Sequence, residues 1–420
     1  MTTFEGLGRD EVVTSDEMIS VEDHLAGILE LVHTAEPIDL RLVDALGLVI
    51  AEDVASEVSI PAFPNSAMDG YAVSSADLAS ASHEVPVTLR IVGEIVAGEA
   101  TPVEVAPGSG ARIMTGAPLP VGADAVVPVE VTSSSGPGDA TFRAPIERGR
   151  HVRWPGEDLK PGQPLVARGR RVTPAEIAVL ATAGVTRVTC VPPPRVVTIS
   201  SGNELVRAES QPGPGQIRDS NGPMLTTMVR AAGGLPFSAG IVPDDRRELI
   251  HAFDTNSGHA DLFVCTGGAS AGTLDLMPEV IAALGEVWKV KVAMQPGMPQ
   301  IRGRIGGVPV VGLPGNPVSA FVSFEVFARP AIRRLQGRRD VARPTVTATV
   351  TEALRAPVDK RGYSRVRLRR DGARWLATPT GPQGSHVTSS ISAADGLAIV
   401  PEHLTEIPVG EMVTVQLLLD

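Results

Sequence analysis

Three stretches in the second half of this 420-residue chain place small, hydroxyl and carboxylate side chains directly after apolar runs. VCTGGASAGTLD (264–275) leads into a loop carrying Gly267, Gly268, Ser270 and Gly272 and closing on Asp275. Such a loop turns backbone N–H groups toward an anion. It lacks the G-K-[ST] ending of a nucleotide-phosphate loop. SSGNEL (200–205) follows RVVTI and carries Glu204, and LPGNPVSA (313–320) follows VPVVG. In LPGNP, Pro314 and Pro317 stiffen the turn, Gly315 permits close backbone approach, and Asn316 offers an amide beside a helix N-terminus. Loop-placed Glu204, Asp244 and Asp275 suit a hard divalent cation bound together with phosphate oxygens, which is the habit of Mg²⁺. Lys289 and Lys291 alternate on one strand face, where a solvated face explains them as well as an anion does.

The N-terminal half adds a second set. PAFPNSAMDGYAV (61–73) carries Asp69, ARIMTGAPLPVGADAVVPVE (111–130) carries Thr115, and HVRWPGED (151–158) carries Arg153 and Asp158. Arginine and hydroxyl groups suit phosphate, and the carboxylates suit a metal or a proton transfer. GASAG (268–272) also fits the G-x-S-x-G nucleophile elbow, with His386 and His403 downstream. A hydrolase needs its helix to begin almost at Ser270. Here turn-forming GTLD intervenes and the helical pattern starts near Pro278, so the hydrolase reading ranks last.

Around these loops, the pattern predicts four domains. Residues 1–17 read as disordered. Ser20 caps a helix whose apolar face is Leu25, Ile28, Leu29 and Val32. Residues 60–155 alternate short apolar runs with Gly/Pro/Ser clusters, as in an inserted all-β domain. A second helix at 173–183, capped by Thr173 with Pro174 in its first turn, is expected to pack on the first. Together they would form a discontinuous domain, 18–59 and 156–191. From 195 to 340 strands and helices alternate, predicting a three-layer α/β domain with a mainly parallel sheet and ligands at the strand C-terminal ends. Residues 343–420 give five strand candidates and a small β-barrel.

A net charge of −11 argues against a nucleic-acid or anionic-membrane partner. Cys190 and Cys265 are far apart and form no zinc or disulfide pattern, which fits a reducing cytoplasm. The acidic, polar N-terminus is not a signal peptide, and no stretch reads as a membrane span.

The motifs NSAMDGYAV, RIMTGAPLPVGADAVV, GED (156–158), GQIRDSN (215–221), GIVPDD (240–245), GGASAG…D, GLPGNPVSA and GPQGSH (381–386) occur in one order across residues 18–420. In this the chain resembles the MoeA-type molybdopterin molybdenumtransferases, a family that includes the gephyrin E domain. The resemblance implies insertion of molybdate into adenylylated molybdopterin with release of AMP and participation of Mg²⁺. It further implies a homodimer, with molybdopterin adenylyltransferase and molybdoenzyme acceptors as partners. By motif position it places Asp69, Thr115, Arg153 and Asp158 on a wall from the inserted domain. Glu204, Asp244 and Asp275 become the acidic set around phosphate and metal, and Gly267, Gly268, Ser270 and Gly272 the phosphate cradle. Lys291, Pro296, Ser385 and a base at Lys360 or Arg361 border the molybdate pocket, with Arg361 preferred. Asp69, Asp158, Glu204, Asp244 and Lys291 would be catalytic. The chain departs from the family at Asn203, commonly Asp, and at QPGMP, where Gln295 and Met298 replace two lysines. Those losses motivate an alternative: a degenerate homologue that binds a pterin or a protein without turnover.

Overall fold

The computed structural model describes residues 12–98, 103–133, 138–267 and 276–418. They fall into two compact units. One holds the described residues up to Asp39, Gly169–Arg171 and those from Thr189 onward; the other holds Leu40–Arg168 and Val172–Val188.

The larger unit is built on a seven-stranded sheet. Its order is Val13–Ile19, Gly285–Val292, Pro299–Ile305, Val308–Leu313, Leu262–Thr266, Arg195–Ser201, Leu235–Val242. The last four run parallel, and Pro299–Ile305 is antiparallel to both its neighbours. Parallel strands are buried on both faces, which is why these segments read as unbroken apolar runs. Helices Val21–Leu31, Asn221–Ala231 and the 317–335 segment pack on one face, and Arg246–Ser257 and Leu276–Leu284 on the other. The three-layer α/β expectation holds.

Three details differ from the sequence reading. Residues 13–17 are not disordered but belong to the strand Val13–Ile19, which lies parallel to Gly285–Val292. An edge strand bonds on one side only, so a polar sequence such as VTSDEMI is tolerated there. The helix Val21–Leu31 belongs to the larger unit and the helix Pro174–Thr182 to the other, so they do not form one domain. Val21, Ile28 and Val32 join the α/β core, whereas Pro174–Thr182 lies against Pro164–Val166 and the short turn Leu42–Ala45. The apolar face of Val21–Leu31 is continuous with a larger core, and that burial decides its place. The long helix from Pro317 contains one π turn, Phe324–Ala328, before Arg329–Leu335. Pro330 has no N–H to give the i−4 carbonyl, and the wider turn accommodates the missing bond.

At the C-terminal end of the same unit, Arg361–Asp371, Arg374–Pro379, Thr345–Val350, Met412–Leu417 and Gly396–Val400 pair in series. The first and last also pair with each other, closing a barrel. Its core includes Val366, Ala377, Ala398 and Val415.

The second unit contains a six-stranded sheet of Thr132–Ser133, Asp139–Phe142, Val87–Ile95, Ser109–Ile113, Gly70–Val73 and Ala125–Pro128, with cores on both faces. Its helix Pro174–Thr182 opens on a capping box: Thr173 caps the helix, and the Glu176 carboxylate accepts from the Thr173 N–H at 3.0 Å. Among the described residues no helix is long and apolar enough to cross a membrane.

Candidate functional site

In the larger unit, Arg195–Ser201, Leu262–Thr266 and Val308–Leu313 are all parallel, so the loops that follow them emerge at one edge. They enclose a cavity of about 310 Å³ lined by Ser201, Glu204, Gly267, Pro314, Gly315 and Asn316 among others. Gly267 has φ +92°, and a Cβ there would lie 2.2 Å from the Ser201 carbonyl oxygen, so only glycine lets the two loops touch. Gly268, Ser270, Gly272 and Asp275 lie outside the described residues.

A chain of hydrogen bonds locks the remaining loops together. The Ile217 N–H donates to the Glu204 carbonyl at 2.8 Å, tying SSGNEL to the segment GQIRDSN. At the end of that segment, Asn221 Nδ2 donates to the Gly315 carbonyl at 2.8 Å. Asn316 Nδ2 donates to Ser385 Oγ at 3.1 Å, which attaches the GPQGSH loop of the barrel to the proline-rich turn. Asn221 is buried and its Oδ1 has no hydrogen-bond partner among the described residues. Asp244 accepts a short hydrogen bond from Ser201 Oγ, and its own N–H donates to Asn203 Oδ1 at 3.0 Å. Asn203 thus still positions the Asp244 loop, although it carries no charge.

Lys291 is exposed on Gly285–Val292, opposite Pro299, which lines the cavity. Pro296 is buried, and Gln295 is exposed and pairs with Gly362 of the barrel. Arg361 is committed elsewhere. Its Nη1 donates to Glu22 Oε1 at 2.6 Å, and its Nη2 lies 2.6 Å from Glu402 Oε1. That hydrogen bond holds the Glu22 carboxyl below its ordinary range.

Arg365, four residues on, was absent from the sequence-based candidates. It is 1% exposed and has no carboxylate partner among the described residues. The segment 384–390 holds it: Nη2 donates to the Gly384 carbonyl of GPQGSH at 3.3 Å and Nε to Ser390 Oγ, in the short helix that follows, at 3.1 Å. Burial brings its pKa down to about 10, so the group stays cationic at neutral pH, bonded to the residue before Ser385. Asn221 and Arg365 both sat inside motifs or strands visible in the sequence, but only the fold shows which polar atoms face inward.

The second unit gathers its own candidates. Ser66 N–H donates to the Ala117 carbonyl at 3.0 Å and Ala67 N–H to the His151 carbonyl at 2.9 Å, stitching NSAMDG to both other motifs. Asp69 Oδ1 accepts from the Thr115 N–H at 2.7 Å and from its hydroxyl at 2.8 Å. These bonds, the backbone one foremost, hold the Asp69 carboxyl below its usual range. Arg153 pairs with Asn65, and the Asp158 N–H donates to the Ile60 carbonyl at 3.0 Å; both side chains are exposed.

Known proteins give this arrangement a context. Residues 19–184 match the MoeA N-terminal region (domain I and II), 197–334 a probable molybdopterin binding domain, and 347–418 the MoeA C-terminal region (domain IV). Molybdopterin molybdenumtransferase 2 of Mycobacterium tuberculosis is 39% identical over 404 residues, covering 95% of this chain and 99% of that protein. The molybdopterin molybdenumtransferase of Haemophilus influenzae is 32% identical, covering 90% and 93%. The crystal structure of a molybdopterin biosynthesis MoeA protein from Pyrococcus horikoshii superposes with a TM-score of 0.84 at 33% identity, covering 96% of this chain and 99% of that one. With relatives this similar over nearly the whole length, the chain belongs to the MoeA family of molybdopterin molybdenumtransferases.

Proposed function

We infer that this protein is a molybdenum insertase of molybdenum cofactor biosynthesis. The observation that carries this reading is the cavity at the parallel-strand ends of the molybdopterin-binding domain, to which Asn316 ties the Ser385 loop of the barrel. The cavity is rimmed by backbone amides, hydroxyls and carboxylates and suits a phosphorylated pterin. Nothing in the comparisons favours a degenerate binding module.

The substrates proposed are adenylylated molybdopterin and molybdate. The dithiolene sulfurs bond to molybdenum as oxo groups leave as water, and hydrolysis of the phosphate–phosphate link releases AMP. Gly267, Gly315 and Asn316, with Gly268, Ser270 and Gly272, bind the pterin phosphate through N–H groups, and Pro314 stiffens the turn that presents them. Lys291, Pro296, Ser385 and Arg365 border the molybdate. Arg365 replaces Arg361 in that role, because Arg361 is engaged by Glu22 and Glu402.

Glu204 and Asp244, together with Asp275, are the proposed Mg²⁺ ligands. Among the described residues no cluster of three metal-binding side chains stands alone. Mg²⁺ binds through one or two carboxylates plus waters and substrate phosphates, so the two described carboxylates suffice for that mode. Held by these residues, the ion would supply charge neutralisation to the phosphate oxygens. We assign Asp69 with Thr115, and Arg153 with Asp158, a part in turnover, and we propose that the protein works as a cytoplasmic homodimer, which sedimentation tests. The decisive experiment incubates the protein with adenylylated molybdopterin, Mg²⁺ and molybdate. Molybdate-dependent AMP release is expected; pterin binding without release would sink the insertase reading.

A further inference from the structure

A second cavity of the larger unit, of about 530 Å³, shares no lining residue with the first. Arg171, Arg333, Arg338, Arg339 and Arg343 line it, against one carboxylate, Asp340. Five arginines line it in a chain whose net charge is −11; two of them, Arg338 and Arg343, are also paired with the carboxylates of Asp340 and Glu325, which leaves an excess of positive charge over the pairs. We propose that this cavity is a binding site for small anions carrying two linked phosphate groups.

The arginines are held in place by the fold. Arg333 sits in the last turn of the helix Arg329–Leu335, which ends at Gly337 with φ +74°. The chain then reverses, and the Arg338 N–H donates back to the Arg333 carbonyl at 3.1 Å. Two buried guanidiniums fasten the returning loop: Arg329 Nη1 donates to the Val341 carbonyl at 3.4 Å, and Arg333 Nη1 to the Asp340 carbonyl at 3.3 Å. Arg343 makes a two-point pair with buried Glu325, at 2.8 and 3.3 Å. Arg338 makes another with Asp340, at 3.2 and 2.9 Å, and its side chain is only 14% exposed. Arg339, by contrast, is exposed and stands beside Gly169 at the rim.

Ordinary surface arginines lose several rotamers when they bind an anion. Here three of the five, Arg333, Arg338 and Arg343, are anchored by the loop or by a carboxylate, so less freedom is lost on binding. Guanidinium forks match phosphate oxygens two at a time. The volume exceeds what one phosphate needs. The rest of the lining is Val341, Ala342 and Pro344, so no aromatic ring is present to stack a base. The site therefore reads phosphate charge and not the group attached to it.

Equilibrium dialysis or calorimetry with inorganic pyrophosphate, ADP, orthophosphate and adenosine tests this on the full-length protein. Pyrophosphate and ADP should bind within a few-fold of each other, orthophosphate about tenfold more weakly, and adenosine not at all. Arg339→Ala should weaken pyrophosphate binding about five- to tenfold. Asp340→Asn, which removes the only lining carboxylate, should tighten it several-fold, an effect that a merely structural role for the loop would not produce. Neither variant should change molybdate-dependent AMP release, so failure here is separable from failure of the insertase reading. Pyrophosphate binding that ignores both substitutions, or no binding because a second copy of the chain covers the cavity, would overturn the proposal. So would ADP binding more than tenfold tighter than pyrophosphate.

Discussion

Replacing Arg365 by Met keeps the length of the side chain and removes its charge. Two opposing effects act on stability. The lost hydrogen bonds to Ser390 and Gly384 are charge-assisted and contribute about 1.5–3 kcal/mol each. Against them stands the cost of holding a cation away from water. A fall in pKa from 12.5 to about 10 corresponds to roughly 3 kcal/mol. The folded state binds fewer protons than the unfolded state between those values, so that cost is full below pH 10 and is relieved only as pH rises toward 12.5. At neutral pH the terms partly offset, and Arg365→Met should lose no more than about 3 kcal/mol of stability by urea unfolding. Molybdate should feel the change far more. One charge-assisted hydrogen bond to a dianion, at about 1.5–3 kcal/mol, raises the half-saturating molybdate concentration roughly 10- to 150-fold. Arg361→Met is the control. It removes partly exposed ion pairs to Glu22 and Glu402, each contributing about 0–1 kcal/mol, and should leave the molybdate requirement within about twofold. The assay is AMP release against molybdate at saturating adenylylated molybdopterin. A folded Arg365→Met protein with an unchanged molybdate requirement, or a large rise in Arg361→Met, refutes the assignment.

Gln295→Lys should lower the half-saturating molybdate concentration several-fold, because an exposed cation restored at QPGMP adds about 1 kcal/mol of attraction; an unchanged value would place position 295 away from the anion. Gly267→Ala should lose about 2–4 kcal/mol of stability by urea unfolding, combining a left-handed backbone with a Cβ 2.2 Å from the Ser201 carbonyl oxygen. His24 is buried edge-on to Phe327 with neither ring nitrogen hydrogen-bonded among the described residues, and burial lowers its pKa from 6.5 to about 3. Its neutral form is the folded one, so stability is complete above pH 6.5 and falls by about 1.4 kcal/mol per pH unit toward 3; His24→Leu should flatten urea stability between pH 6.5 and 4.

The elements that burial dictates were readable in advance. RVVTIS, DLFVCT and VPVVGL are apolar runs because both faces of a parallel sheet are covered, and each appears as a strand. The barrel was foreseen from five short runs, and both helix caps at Ser20 and Thr173 are present. Elements whose existence depends on a distant partner were not readable. Val13–Ile19 is polar and forms because Gly285–Val292 offers it a free edge. Pro299–Ile305 begins on proline and alternates arginine with apolar residues, yet it is held between two antiparallel neighbours.

The site divides along the same line. Glu204, Gly267, Pro314, Gly315 and Asn316 are set by their own loops: each follows a buried strand, and strand order brings the loops to one edge. Local sequence carries that information. The choice between Arg361 and Arg365 is different in kind. Residues 361, 363 and 365 fall on one face of a single strand, so alternation cannot separate the two arginines. What separates them is the company at each position. The strand begins where Glu22 and Glu402 reach it, one of them 339 residues distant in sequence, and a guanidinium there is neutralised. Four residues further, the loop 380–390 offers Arg365 only carbonyl and hydroxyl oxygens, which leave its charge uncompensated, and one of them belongs to the residue before Ser385. A cation is useful to an oxyanion in proportion to how little of it is already spent on carboxylates, and that quantity is a property of the folded neighbourhood.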